Sequence, residues 1–174
     1  MVTIAPKKGD HLIIDTSWGG RWIQHHGICV GNGNVIHFKR DREGTNILDF
    51  LFSHVVIDKT PMKAFDEGRE SYIVPYDSVP CFPPDEVVKR AEHFLRLQRE
   101  AIQLQREGKQ LEERLKEIRY NFMEFNCEHF ASYCKTGRKI SLQVENGVYH
   151  AREAVDISAP LWLAGMESFS FSDD

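Results

Sequence analysis

One cysteine of this 174-residue chain, Cys127, occupies a position where a thiol could act as a nucleophile. It follows Asn126 and begins a segment typical of a helix, residues 127–135, which Gly137 closes. Asn is a favoured N-cap, and Gly is favoured just beyond a helix C-terminus. We therefore expect Cys127 at the first helical position, where unpaired backbone N–H groups and the helix dipole stabilise a thiolate. The same amides could stabilise an oxyanion that forms beside the sulfur.

A thiol nucleophile requires a base within hydrogen-bond reach and a group that orients this base. His25 and His37 are candidates because they flank a hairpin signal at residues 31–33 (GNG), between two β-rich segments. A two-residue turn would put the two histidines on opposite faces of the hairpin, whereas a three-residue turn would put them on one face. We favour the three-residue turn because it collects an apolar set on the other face: Ile28, Val30, Ile36 and Phe38.

The favoured register predicts a polar face on the hairpin. This face carries His25, Cys29 and His37, and Gly27 leaves room between the two imidazoles. His26 would point to the opposite face. The sequence thus predicts a histidine pair on one face of a hairpin and a capped cysteine on a separate helix.

The elements that must position these residues are strands followed by helices. Strands are predicted at residues 11–15, 26–30 and 34–38, with weaker strand signals at 50–57 and 71–76 and a loop over 16–24. Prolines then interrupt the chain, and Asp85 is the predicted N-cap of a helix that starts at Glu86. The charged stretch 97–119 interleaves both signs and contains Gly108. It predicts two helices, or one helix with a weak point, projecting from the body as a solvated excursion.

Composition and charge are those of one ordinary globular domain. The chain is 41% hydrophobic and 28% charged, and its net charge of -4 argues against a protein that coats nucleic acid. We find no secretory signal and no apolar stretch long enough to cross a membrane, so we expect a cytoplasmic protein with reduced thiols. The spacing of its cysteines and histidines matches no zinc site, and we expect neither metal nor cofactor. The four cysteines are Cys29, Cys81, Cys127 and Cys134.

Residues 126–130 (NCEHF) resemble the signature of the lecithin:retinol acyltransferase (LRAT) domain family. The flanking residues extend the resemblance, with YN at 120–121 and YCKTG at 133–137. The upstream portion is similar as well. Three patterns follow that family's order and spacing: Gly9-Asp10, the H-x-G-I-x-V-G that begins at His25, and the V-I-H that ends at His37. The resemblance covers roughly residues 7–145.

The resemblance implies an α+β fold, a circularly permuted papain-like domain of the NlpC-type superfamily, with a small antiparallel sheet packed against the helix that starts at the cysteine. By position, His25 matches the family's general base, His37 its orienting residue and Cys127 its nucleophile. Members take an acyl chain from a glycerophospholipid onto the cysteine and pass it to water, an amine, a lysophospholipid or retinol. We expect a tail at 1–8, a catalytic domain at 9–150 with a charged helical insertion near 97–119, and a second tail at 151–174.

The chain also departs from the family. Position 29 is a cysteine where better-known members often carry an aromatic residue, and we find no hydrophobic C-terminal anchor. We therefore expect an acyl acceptor other than retinol, and peripheral membrane contact through Trp18, Trp22 and Phe38. Two alternatives stay open: an NlpC-like peptidase or amidase that uses the same residues on an amide, and a non-catalytic module that binds through residues 85–119.

Overall fold

A computed structural model of the chain describes residues 5–18, 21–40, 55–110, 115 and 125–142. Its strands and helices are, in chain order, β1 (His11–Trp18), β2 (Arg21–Gly31), β3 (Asn34–Arg40), β4 (Val55–Pro61), α1 (Met62–Asp66), β5 (Ser71–Ile73), α2 (Pro84–Arg106) and α3 (Cys127–Thr136). The strands form one antiparallel sheet in the order β4-β3-β2-β1-β5, so β2 is central. Helix α3 packs mainly on β2. The predicted α+β class and small antiparallel sheet are confirmed.

The turn between β2 and β3 differs from the predicted one but produces the predicted register. Gly31 pairs with Asn34 across a two-residue turn. The turn residues Asn32 and Gly33 both have positive φ, at 53° and 68°, as this kind of tight hairpin requires. A β-bulge just before Gly31 then shifts the pairing by one residue. The three-residue turn is therefore wrong, but the bulge has the same effect on which side chains share a face.

Strands β1 and β2 extend through most of the segment predicted as a loop at residues 16–24. β1 continues to Trp18, β2 begins at Arg21, and these two residues pair with each other. The local sequence there, with Gly19-Gly20 in it, favours a loop. Pairing along a long antiparallel ribbon outweighs that weak local preference, because strand formation depends more on cross-strand neighbours than on intrinsic propensity.

The two faces of the sheet bury different apolar clusters. The cluster beneath α2 and α3 contains the predicted set, Ile28, Val30, Ile36 and Phe38, together with helix residues such as Phe130 and Ala131. A smaller cluster on the other face contains Leu12, Ile14, Cys29, Val35 and Phe65. The predicted division of the hairpin into two faces is confirmed.

Helix α2 begins two residues earlier than predicted. Its first residue is Pro84, preceded by Pro83, and Asp85 lies in the first turn instead of at the N-cap. Proline suits the first helical position because the N–H that it lacks has no partner there, and its φ is already helical. An acidic residue in the first turn is favourable with respect to the helix dipole.

The second half of α2 packs on the core and does not project from it. Ala101 is buried, and Leu97 and Leu104 pack against the larger cluster. The predicted solvated excursion is thus wrong for residues 97–106. The helix ends at Arg106, and Gly108 follows with a φ of 66°. Of the rest of the predicted insertion, residues 111–114 and 116–119 lie outside the described residues.

The chain divides into two compact units, residues 1–141 and 142–174. The second unit, apart from Leu142, lies outside the described residues, and the borders predicted at 8/9 and 150/151 stay predictions. Among the residues that the structure describes, no helix is both long and apolar enough to cross a membrane.

Candidate active site

The N-terminus of helix α3 is capped as the sequence predicts. Oδ1 of Asn126 accepts hydrogen bonds from the backbone N–H groups of Glu128 (2.9 Å) and His129 (3.0 Å). In return, Nδ1 of His129 accepts one from the Asn126 N–H at 3.2 Å, which completes a capping box. At the other end, Gly137 has a φ of 79° and closes the helix. Cys127 is therefore the first residue of the helix.

The Cys127 thiol is buried against the backbone of β2. Its side chain belongs to the cluster on the α3 side of the sheet, the residue is 8% exposed, and its sulfur lies 3.9 Å from the carbonyl oxygen of Gln24. Burial, with a smaller contribution from the Glu128 carboxylate, raises the pKa of the thiol to about 11. Hydrogen bonds from backbone N–H groups, those of His26 and the helix start, lower it by less. The expected thiolate is therefore not the resting form, and the thiol is neutral.

His25 and His37 form a directly hydrogen-bonded pair. Nε2 of His25 lies 2.8 Å from Nδ1 of His37, and Nε2 of His37 lies 2.9 Å from Oγ1 of Thr60. The ring of Phe65 packs against both imidazoles, with centroids 5.4 Å from His25 and 5.1 Å from His37. Gly27, between them on the same face, leaves the space in which Phe65 sits. His25 and His37 thus share a face as predicted, but this face is not polar throughout, because Cys29 lies in an apolar cluster with Val35 and Phe65.

Both imidazoles of this pair are neutral at physiological pH. Burial, with smaller contributions from the positive charges of His37, His26 and Arg69, lowers the pKa of His25 to about 3. Burial likewise lowers the pKa of His37 to about 4, against smaller opposing effects of the Phe38 carbonyl and Asp58. Neutral imidazole is the protonation state in which a histidine can accept a proton.

The structure brings His25 and His37 together and brings Cys127 to the same segment of β2. The histidine pair packs on Phe65, whereas the sulfur lies on the α3 side. The contacts of the sulfur with β2 are with the backbone groups of Gln24 and His26. Cys127 therefore packs against the backbone of the strand segment that carries His25, and its sulfur makes no hydrogen bond to the His25 imidazole, both residues being among those the structure describes. Hydrogen bonds of catalytic groups often tighten only when substrate binds.

A second buried histidine pair lies next to Cys127, and sequence reasoning missed it. Nε2 of His11 lies 2.8 Å from Nδ1 of His26, and Nδ1 of His11 lies 2.8 Å from the hydroxyl of Tyr76. The Glu128 carboxylate raises the pKa of His26, but burial has the larger effect and lowers it to about 4. Strand alternation does place His26 on the α3 side of the sheet, opposite to His25. Its partner His11 follows only from the β1–β2 register, in which the two are diagonal neighbours.

The predicted membrane contact through Phe38 is wrong. Phe38 is 3% exposed, and its ring packs against Phe125 and Phe130 with centroids 5.6 and 5.8 Å away. Phe38 is buried because it belongs to the apolar face of the hairpin, and this face packs against the helices. The side chains of Trp18 and Trp22 lie outside the described residues. All four cysteines, each within the described residues, are unpaired thiols.

Comparisons with known proteins identify a matching family model and a relative. The family model described as lecithin retinol acyltransferase matches residues 4–140. Egg-laying defective protein 26 of Caenorhabditis elegans is 30% identical over 151 residues, an alignment that covers 75% of this chain and 39% of that protein. The chain thus spans about two fifths of the length of this curated relative.

Proposed function

The chain belongs to the lecithin retinol acyltransferase family, and from this premise we propose that it is a thiol acyltransferase or phospholipase A that acts on glycerophospholipids. In this proposal Cys127 is the nucleophile, His25 the general base and His37 the residue that orients His25. The domain would be a circularly permuted papain-like fold in which the histidines precede the cysteine in the chain. The acyl acceptor is water or a second small molecule.

The proposed reaction starts from a neutral thiol and a neutral imidazole. The Cys127 sulfur attacks the ester carbonyl carbon while its proton passes to His25, and the carbonyl oxygen becomes an oxyanion. The backbone N–H groups at the start of α3 would stabilise that oxyanion. The carbon–oxygen ester bond then breaks, His25 returns the proton to the departing lysolipid oxygen, and the acyl group stays on sulfur as a thioester. Water or another acceptor, deprotonated by His25, releases it.

One observation carries the proposal: the capped cysteine packs against the short segment of β2 in which His25 lies. The sulfur is 3.9 Å from the carbonyl oxygen of Gln24, and the next residue in the strand is His25, whose ring contacts His37 at 2.8 Å. A buried thiol of raised pKa is a poor nucleophile unless a base takes its proton during attack. The neutral histidine pair supplies such a base.

The acyl-enzyme intermediate is the direct test. Intact-mass spectrometry after brief incubation with a short-chain phosphatidylcholine should show one added acyl group on the wild-type protein and none on Cys127→Ala. Cys81→Ser is the matched control, because Cys81 is an exposed thiol and its loss should leave the added mass unchanged. No added mass together with no released fatty acid would contradict the proposal and favour an amide substrate or a binding module.

The identity of the base is tested by two neighbouring variants. His25→Gln should slow acylation by about 10²–10⁴-fold, the usual contribution of a general base. His26→Gln, which removes an imidazole from the other face of the same strand, should slow it far less. The reverse result would assign the role of base to His26 and its partner His11.

A further inference from the structure

The two ring nitrogens of His37 have three hydrogen-bond partners, and a neutral imidazole can bond to them in more than one way. Nδ1 lies 2.8 Å from Nε2 of His25 and also 3.1 Å from the carbonyl oxygen of Phe38, and Nε2 lies 2.9 Å from Oγ1 of Thr60. A neutral imidazole carries its proton on one of the two nitrogens only. A carbonyl oxygen can only accept, whereas a hydroxyl can donate or accept. Two arrangements of protons therefore fit the same atomic positions.

In the first, which we call the carbonyl arrangement, Nδ1–H of His37 donates to the Phe38 carbonyl and toward Nε2 of His25. The Thr60 hydroxyl donates to the bare Nε2 of His37. Neutral His25 then has its proton on Nδ1, and its bare Nε2 is engaged by His37. In this arrangement His25 offers no lone pair to the Cys127 thiol.

In the second, the hydroxyl arrangement, Nε2–H of His37 donates to Oγ1 of Thr60. The bare Nδ1 of His37 accepts from Nε2–H of His25, so that Nδ1 of His25 is bare. The Cys127 thiol proton can then move to Nδ1 of His25. The His25 imidazolium that forms keeps its Nε2–H directed at Nδ1 of His37. When the proton later leaves for the departing oxygen, the pair returns to the hydroxyl arrangement.

We propose that Thr60 is a positioning residue that makes the His25–His37 pair competent as a base, by accepting the hydrogen bond from Nε2–H of His37. The inference rests on the proposed function, because it concerns the same site. The Thr60 hydroxyl permits the hydroxyl arrangement because its oxygen can accept a hydrogen bond from Nε2–H of His37, which no apolar side chain can do. The Phe38 carbonyl, one residue from His37 in the strand, is the competing acceptor.

The surroundings of Thr60 fit this role. Thr60 pairs with Val35 across β3 and β4, so it is a diagonal neighbour of His37 on the same face of the sheet. Thr60 and His37 are 5% and 4% exposed, and the Phe65 ring packs against His37. Water is therefore a poor substitute for the hydroxyl, and an imidazole N–H that loses this acceptor stays buried without one.

Thr60→Val tests the proposal, because valine keeps the branched shape and removes only the hydroxyl. The rate of alkylation of Cys127 by iodoacetamide, read by peptide mass spectrometry, should fall roughly 10–100-fold as the hydroxyl arrangement loses its acceptor. In ¹⁵N NMR of histidine-labelled protein, His37 should move toward the Nδ1–H tautomer. Thr60→Ser retains the hydroxyl and should restore both the rate and the tautomer. Thr60→Ala replaces Thr60→Val if the valine variant does not fold.

Three results would overturn the proposal: a wild-type alkylation rate in Thr60→Val, a slow rate without a change of the His37 tautomer, or a Thr60→Ser variant as slow as Thr60→Val. The second result would make Thr60 merely structural. Neither measurement needs a lipid. If wild-type protein forms no acyl-enzyme with phosphatidylcholine, the proposed function fails, and the tautomer and alkylation data still decide the role of Thr60.

Discussion

Gly27 is the residue whose substitution should most directly disturb the histidine pair. A Cβ atom at this position would lie 2.6 Å from Cγ1 of Val35, 2.9 Å from Cε2 of Phe65 and 3.2 Å from Cβ of His37. Carbon atoms that are not bonded prefer separations of about 3.5–4.0 Å, so each neighbour must move by roughly 0.3–1 Å. Two of the three neighbours, Phe65 and His37, belong to the site.

We expect Gly27→Ala to destabilise the protein by about 1–3 kcal/mol, the usual cost of overpacking a core. For a chain of this length that corresponds to a decrease in Tm of roughly 2–12 °C, measurable by circular dichroism. Because Phe65 and His37 must shift, the rate of alkylation of Cys127 and its pH dependence should change as well. The double variant Gly27→Ala/Val35→Ala, which removes the nearest obstructing atom, should lose less stability than the sum of the losses of the two single variants.

Gly33→Ala is the matched control for this prediction. Gly33 has a φ of 68° and nothing within 4 Å of the position of an added Cβ, so alanine there costs backbone strain of about 1–2 kcal/mol without any steric contact. Its Tm should fall while the reactivity of Cys127 stays at the wild-type value. If Gly27→Ala left both Tm and reactivity unchanged, or if Gly33→Ala altered reactivity equally, the reasoning that Gly27 maintains the geometry of the pair would be refuted.

Two further predictions concern stability and the helix cap. The pKa of His26 is about 4 in the folded protein against an ordinary value of 6.5, so below pH 6.5 the unfolded chain binds protons that the folded one does not. Stability should be full above pH 6.5 and fall from there to about pH 4, by about 1 kcal/mol per pH unit for each such histidine. Urea unfolding at several pH values measures this dependence, and His26→Gln should flatten the slope. Asn126→Ala should lower the free energy of unfolding by about 1 kcal/mol through loss of the N-cap, and it should slow the alkylation of Cys127. Asn126→Ser can still cap the helix, so it should retain the wild-type stability and alkylation rate. Equal behaviour of the two variants in thermal unfolding would argue against the cap as the cause.

Much of the site could be predicted because it depends on local rules. The residues that flank Cys127 specify its place on a helix: Asn126 is a good N-cap and Gly137 tolerates the left-handed conformation that ends the helix. Strand alternation, checked against an apolar face, placed His25 and His37 together. This succeeded although the turn itself was wrong, since burial of Ile28 and Ile36 constrains the register more strongly than the turn type does.

Contacts between residues distant in the chain could not be predicted in this way. The solvated excursion failed because charge pattern alone does not show that Ala101 packs on the core. The family resemblance implied the roles of Cys127, His25 and His37, but it did not indicate that burial would keep the Cys127 thiol neutral.

The sequence by itself determined the helix that begins at Cys127 and the face that His25 shares with His37, because caps and strand alternation act over a few residues. Only the tertiary structure decided what surrounds them: Thr60 beside His37, and His11 beside His26. These pairings are set by the order and register of the strands in the sheet, which arise from the packing of the whole core and not from any local segment.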